Sequence, residues 1–156
     1  MDTWVPGYFP ADSVQTLGAL PGKVLQAVHY TFWKNVAKAH DVFQSLDWIE
    51  LHWQDSSLTT FGTGEESEGI ALRDLDLLAE QARIRHQFNG QVELSRSEVS
   101  GAYVWREAIG QPLRRVELVA AEQPSLFHNH VLTLDFGAAT IRLRLMQEGM
   151  MAERVS

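Results

Sequence analysis

The sequence predicts an α+β fold, mostly antiparallel β, with two similar β-rich units packed in one compact domain. Three features predict it. The first is Val131–Leu145. Leu132, Leu134 and Phe136 fall on one face and Val131, Thr133 and Asp135 on the other, because successive strand side chains point to opposite sides. Gly137–Thr140 supplies small residues for a turn. Ile141, Leu143 and Leu145 then resume the apolar face, with Arg142 and Arg144 opposite. A four-residue loop would set Phe136 across from Ile141 and Leu134 across from Leu143. It would also make Asp135–Arg142 a cross-strand ion pair. One buried and one wet face is the habit of antiparallel sheets.

The second feature is a fainter copy at Trp48–Phe61. Ile49, Leu51 and Trp53 take the places of Leu132, Leu134 and Phe136, Gln54–Ser57 forms the turn, and Leu58 stands where Ile141 does. The third is a glycine-led piece ahead of each hairpin, GKVLQAV from Gly22 and GQPLRRV from Gly110. The spacing from this piece to the hairpin is five residues longer in the first copy, so that copy carries an insertion. Between the hairpins themselves only Leu51 and Leu134 are identical, and unrelated hairpins share that much. A glycine-led strand followed by a hairpin, twice in one order, points to internal duplication.

Composition bounds the rest. The 156 residues are 45% hydrophobic and 21% charged, which suits one ordered domain. Repeat one runs over 12–72, a connecting segment over 73–101 and repeat two over 102–147, with 148–156 a tail that frays. There is no cysteine, hence no disulfide framework and no thiolate zinc site, in keeping with the cytoplasm. The first residues lack a basic start and apolar core, so no secretory signal is expected, and no run is long enough to span a bilayer. The net charge is −7, with 4 basic and 12 acidic groups in residues 1–80 against 9 and 8 in 81–156. An acidic chain without a basic stripe is a poor nucleic-acid binder. Its acidic half suits either ordinary solubility or a basic partner.

In chain order, Trp4, Tyr8 and Phe9 lie in a Pro-interrupted arm that packs on the body or exchanges with a neighbouring subunit. Asp12 or Ser13 can cap a short helix through Leu20, ended by Gly22; its counterpart is Ala102–Ile109, ended by Gly110. Lys23–Trp33 reads as a strand. Residues 34–46 are the insertion, either one or two helical turns or a loop. Thr63–Gly69 is an acidic loop tip, without the alternate-residue oxygen spacing calcium requires. Gly69–Leu72 reads as a short returning strand. Leu75, Leu78 and Ala82 give a helix from about Asp74 to Gln81, with Asp74 as cap. Ile84, His86 and Phe88 then alternate up to Asn89–Gly90, a strong hairpin signal, and Val92 and Leu94 alternate away. Val116–Ala121 is the second glycine-led strand. Met150 and Met151 either fray with the tail or cover the core.

The chemistry is sparse. His128 and His130 share a strand face and are weak metal candidates; His52 is the only third ligand that position suggests. Trp48, Glu50, His52 and Phe61 would share the outward face of the first hairpin and form a candidate ligand or partner surface. Glu50 and His52 could act as acid and base there, or a loop, helix or subunit covers the patch. Trp33, Trp53 and Trp105 read as core. Arg114, Arg115, Arg142 and Arg144 form a local basic cluster, which either pairs within the sheet, as Asp135–Arg142 and Glu117–Arg114, or meets an acidic surface. No phosphate-binding loop, nucleophile elbow or zinc helix is present. No cofactor and no metal are expected, and no catalytic residue stands out. The composition points to a small soluble bacterial-type binding protein, non-enzymatic and immunity-type. The alternatives are a small-molecule-binding enzyme with a pocket between the repeats, and a structural homodimer subunit. Neither a nucleic-acid nor a membrane partner is expected.

Overall fold

The computed structural model describes residues 7–35, 44–63, 69–73, 76–146 and 149–156. The chain runs α1 (Ala11–Gly18), β1 (Leu25–Asn35), β2 (Gln44–Trp53), β3 (Leu58–Thr63), β4 (Ile70–Leu72), α2 (Leu77–Phe88) and β5 (Val92–Glu98). The second half is β6 (Arg115–Ala120), β7 (Phe127–Asp135), β8 (Thr140–Met146) and β9 (Gly149–Arg154). Two antiparallel sheets form, in the orders β4-β3-β2-β1-β5 and β6-β7-β8-β9. Removing β5 leaves two four-stranded meanders of the same order, the resemblance the glycine-led pieces announced.

The resemblance is local as well as topological. The two glycine-led pieces meet each other, with Val24 bridging Pro112 antiparallel. Gly22 N–H donates to the Leu113 carbonyl at 2.8 Å and Gly110 N–H to that of Leu25 at 2.7 Å. Leu25 N–H reaches Gln111 at 3.1 Å and Leu113 N–H reaches Lys23 at 2.8 Å. Each bond is the image of another under exchange of the repeats, so an approximate two-fold axis passes through Val24 and Pro112. Both glycines hold a positive φ, +97° and +82°, open to glycine at little cost. Ahead of them, Leu17 and Leu20 occupy the positions of Trp105 and Ala108, and all four are buried.

The local structure before the glycines differs from expectation. α1 starts after Pro10 without a side-chain cap; Asp12 instead accepts from the Ser13 N–H. Ala102–Ile109 is a chain of tight turns rather than a regular helix, closed by bonds such as Ile109 N–H to Trp105 carbonyl. The bulky, fully buried Trp105 replaces the smaller Leu17 there.

The hairpins hold the expected core face with different turns. In the second, Phe136 N–H bonds the Ala139 carbonyl, so the loop is two residues, not four. Leu134 faces Ile141 and Leu132 faces Leu143. The shift is by two residues, so every face survives while the partners change. Asp135 opposes Thr140, and the expected Asp135–Arg142 pair does not form. In the first hairpin, Trp53 N–H bonds the Ser57 carbonyl across Gln54–Asp55–Ser56, and Ser56 takes φ +71°. That is a three-residue loop with a left-handed last residue. One residue fewer than expected flips β3. Leu58 turns outward, 51% exposed, and Thr59 and Phe61 turn in. The true counterpart of Ile141 is therefore Thr59, not Leu58.

The fourth strands complete the symmetry. β9 pairs with β8 along its length, and Met150 is buried while Met151 is exposed, so residues 149–154 are a strand and not a frayed tail. Met150 matches Ile70 of β4. Before each stands a glycine of positive φ pressed on the opposite repeat: Gly69 against Asn129, Gly149 against Ser45 and Leu46. Ile49, Leu51, Trp53, Leu132, Leu134 and Phe136 then meet in one core, and the Trp53 and Phe136 rings lie 6.4 Å apart.

The connecting segment also departs from expectation. α2 continues to Phe88, past the expected end at Gln81, and no hairpin forms at Asn89–Gly90. Asp76, not Asp74, caps it by accepting from Ala79 N–H; residue 74 lies outside the described residues. Asn89 at φ +53° and Gly90 at +75° stop the helix, and Gly90 N–H bonds the Arg85 carbonyl. The same tolerance of positive φ serves a helix stop as well as a hairpin. Leu77, Ile84 and Phe88 form the apolar stripe, while Leu78 is 79% exposed. In the arm, Phe9 is buried and Tyr8 stacks on His128 at 5.3 Å. Trp4, most of the insertion and the acidic tip 64–68 lie outside the described residues.

Candidate functional site

The outer face of the five-stranded sheet is built by alternation. On β2, Ile49 and Leu51 enter the core, so Trp48, Glu50 and His52 point away from it and away from the interface between the repeats. β1 contributes His29, Thr31 and Trp33 to this face, and β5 contributes Arg96. Phe61, expected with them, pairs with Ile49 and lies wholly in the core, because of the shorter turn.

α2 covers one end of this face. Trp48 packs with Ile84, Val92 and Leu94, and Trp33 meets Phe88 edge-on at 5.8 Å. A side chain at Gly62 would press on the Trp48 indole, so β3 needs a glycine there. Trp33 thus serves this outer cluster, whereas Trp53 and Trp105 are in the shared core.

Beyond Trp48 the face is polar. Arg96 Nε donates to Glu50 Oε2 at 2.7 Å and Arg96 Nη2 to Oε1 at 3.0 Å, a bidentate pair. His52 Nε2 lies 3.2 Å from Glu50 Oε1, and the His29 and His52 rings meet edge-on at 4.8 Å. The Glu50 side chain is 7% exposed and that of Arg96 34%. Burial pushes the Glu50 carboxyl upward, but the donors and charge of Arg96, with His52, bring it below its ordinary value. Burial lowers His29, helped by the charges of Arg96 and His52. Thr31 Oγ1, Trp48 Nε1 and His29 Nδ1 are buried without a hydrogen-bond partner among the described residues. Glu50 is therefore a locked carboxylate whose oxygens are already engaged. Arg96 was missed in the sequence because its neighbour across the sheet is set only by the β1–β5 pairing.

Among the described residues no helix lies over the counterpart face of the second sheet. Arg115 reaches Glu117 at 2.8 Å and Asp135 at 3.3 Å; Arg142 and Arg144 reach Glu153 at 3.7 and 3.0 Å. The arginine cluster thus pairs within the sheet, though not as Asp135–Arg142 or Glu117–Arg114. Arg114 instead lies against Gly137. Glu117, Val119, His130, Thr133, Arg142 and Arg144 line an open groove of about 500 Å³. His128 and His130 rings are 5.4 Å apart. Among the described residues no three His, Asp or Glu side chains are grouped to hold a metal. No helix among them is long and apolar enough to cross a membrane.

Fold and faces together define an antiparallel β protein of two similar sheets, with α2 over one outer face and, among the described residues, no helix over the other. No protein-family model, curated protein or solved structure matches the chain.

Proposed function

We propose that the chain is a non-enzymatic binding module that engages a protein partner through the open outer face of its second sheet. The observation that carries this is the difference between equivalent faces. On the first sheet, α2 and β5 bury Trp48, and Arg96 locks Glu50. On the second, Val119 is 48% exposed beside Arg142 and Arg144, which leaves apolar and charged groups together on an accessible surface. The bidentate Arg96 pair, which holds the Glu50 carboxyl below its ordinary value, and the 7% exposure of that side chain support a structural role for the Glu50–His52 pair over proton transfer, since a general base needs both proton affinity and access to its substrate.

An immunity-type role in the cytoplasm is the narrower form of this proposal. It rests on small size and net negative charge, which suit a basic toxin domain. The test is a search for a toxin gene beside this one and neutralisation of its product, with V119D and the R142E/R144E pair measured against E50Q; a gene neighbourhood without a toxin counts against the immunity-type role. Loss of neutralisation in the face variants with retention in E50Q supports the reading. Equal activity in all of them, or loss confined to E50Q, sinks it.

A further inference from the structure

Comparison of the repeats singles out a second surface, the free edge of β6, and it stands independently of the groove above. In the first repeat, β1 is flanked on both sides: β2 on one, and β5 over His29–Asn35 on the other. Among the described residues its counterpart β6 pairs with β7 alone and forms the edge of its sheet. The side chains record the difference. Val28 of β1 is fully buried, while Val116 at the same position of β6 is only partly so. Val116, Leu118 and Phe127 form an open apolar groove of about 690 Å³ with Val14 and Pro21 beside α1.

An open edge of this kind offers unpaired backbone donors and acceptors as a template for another strand. The usual defences are thin here. Arg115–Ala120 holds no proline and no lysine, and its two charged residues, Arg115 and Glu117, are of opposite sign.

We propose that the free edge of β6 takes a further antiparallel strand, and that this strand is β6 of a second copy of the chain. Charge selects the occupant. With the dyad on Val116, antiparallel pairing places Arg115 of each copy opposite Glu117 of the other. Opposite charges directly across strands are favourable and like charges unfavourable. The contact is isologous, as a two-fold dimer requires. Val116 then meets its own image, and the apolar groove along α1 is closed from solvent. Two four-stranded sheets become one eight-stranded sheet, and the two open outer faces join into a single surface.

The test is the mass of the full chain in solution by light scattering, at concentrations up to about 100 µM, together with a dilution series for the dissociation constant. The expected result is twice the chain mass for the natural protein. R115E and E117R each set like charges across the dyad and should weaken association by about 10-fold or more, whereas the double exchange R115E/E117R restores complementarity and association. Arg115 and Glu117 side chains are 65% and 48% exposed, so the variants should fold, and circular dichroism with a thermal melt verifies it. A natural protein that stays monomeric overturns the proposal and leaves the edge to a strand from another protein. A dimer that neither single variant weakens, or that the double exchange does not restore, also overturns it.

Discussion

The two sheets share an interior and differ on the outside. On the inner faces, Ile49, Leu51 and Trp53 of one repeat match Leu132, Leu134 and Phe136 of the other, all buried. On the outer faces Trp48, Glu50 and His52 match Val131, Thr133 and Asp135, with no chemical likeness. A packed core penalises any change in volume, and here both repeats fill the same core. The outer faces carry no such joint constraint. One is covered by α2 and β5, with Arg96 paired to a buried Glu50; the other carries its charges at the surface.

The largest effect that can break this comparison lies at the axis of the core. W53A and F136A should each cost about 3–5 kcal/mol in chemical denaturation, and a double-mutant cycle should return a coupling of about 1 kcal/mol from the facing rings. Additive losses would mean that the pair is not a shared centre. Next come the two glycines pressed on opposite repeats. G149A should destabilise by about 2–3 kcal/mol and G69A by less. A methyl group at Gly149 meets Ser45 Oγ and the Leu46 backbone, which cannot turn away, whereas the nearest atoms at Gly69 all belong to the Asn129 side chain. The reverse order would show the symmetry to be superficial.

E50Q should cost about 2 kcal/mol at neutral pH by leaving Arg96 half paired, while the joint exchange E50L/R96M should be close to neutral. Glu50 has a folded pKa below its ordinary 4.5. Its ion pair therefore contributes fully above that pH, and the contribution is lost as the pH falls through the folded value. The smallest effect has the opposite sign. Asp47, the extra residue where β1 and β2 slip register, accepts a hydrogen bond from Ser45 Oγ at 3.1 Å, and burial raises its carboxyl from 3.8 to about 6. The raised value favours the protonated folded state, so its stability contribution is complete below 3.8 and lost as the pH rises through about 6. D47N should therefore stabilise by about 1 kcal/mol at pH 8, discounted for partial exposure, and change little at pH 4. Thermal melts at both pH values decide it.

Much of the fold was legible because it follows from period-two alternation. Leu132, Leu134 and Phe136 fall on one face whatever their partners. Turn length was not legible. Gln54–Ser57 and Gly137–Thr140 both read as four-residue loops, but the chains close over three and two residues. The one-residue difference places Phe61 in the core instead of on the outward face of the first hairpin, and the two-residue difference breaks the Asp135–Arg142 pair without moving a face. Asn89–Gly90 misled for a related reason: positive φ is a local demand that two different structures make. The candidate surface was half legible. Trp48, Glu50 and His52 do share a face, but nothing along the chain announced that α2 would lie on it or that Arg96 would reach Glu50.

The sequence by itself determined which residues face the interior and that two units are alike, because alternation and the glycine-led pieces are local patterns carried by each segment alone. Register, the helix over the first sheet, the Glu50–Arg96 lock and the open edge of β6 were decided only by tertiary structure. Each depends on which strand lies beside which, and that follows from contacts between residues far apart along the chain.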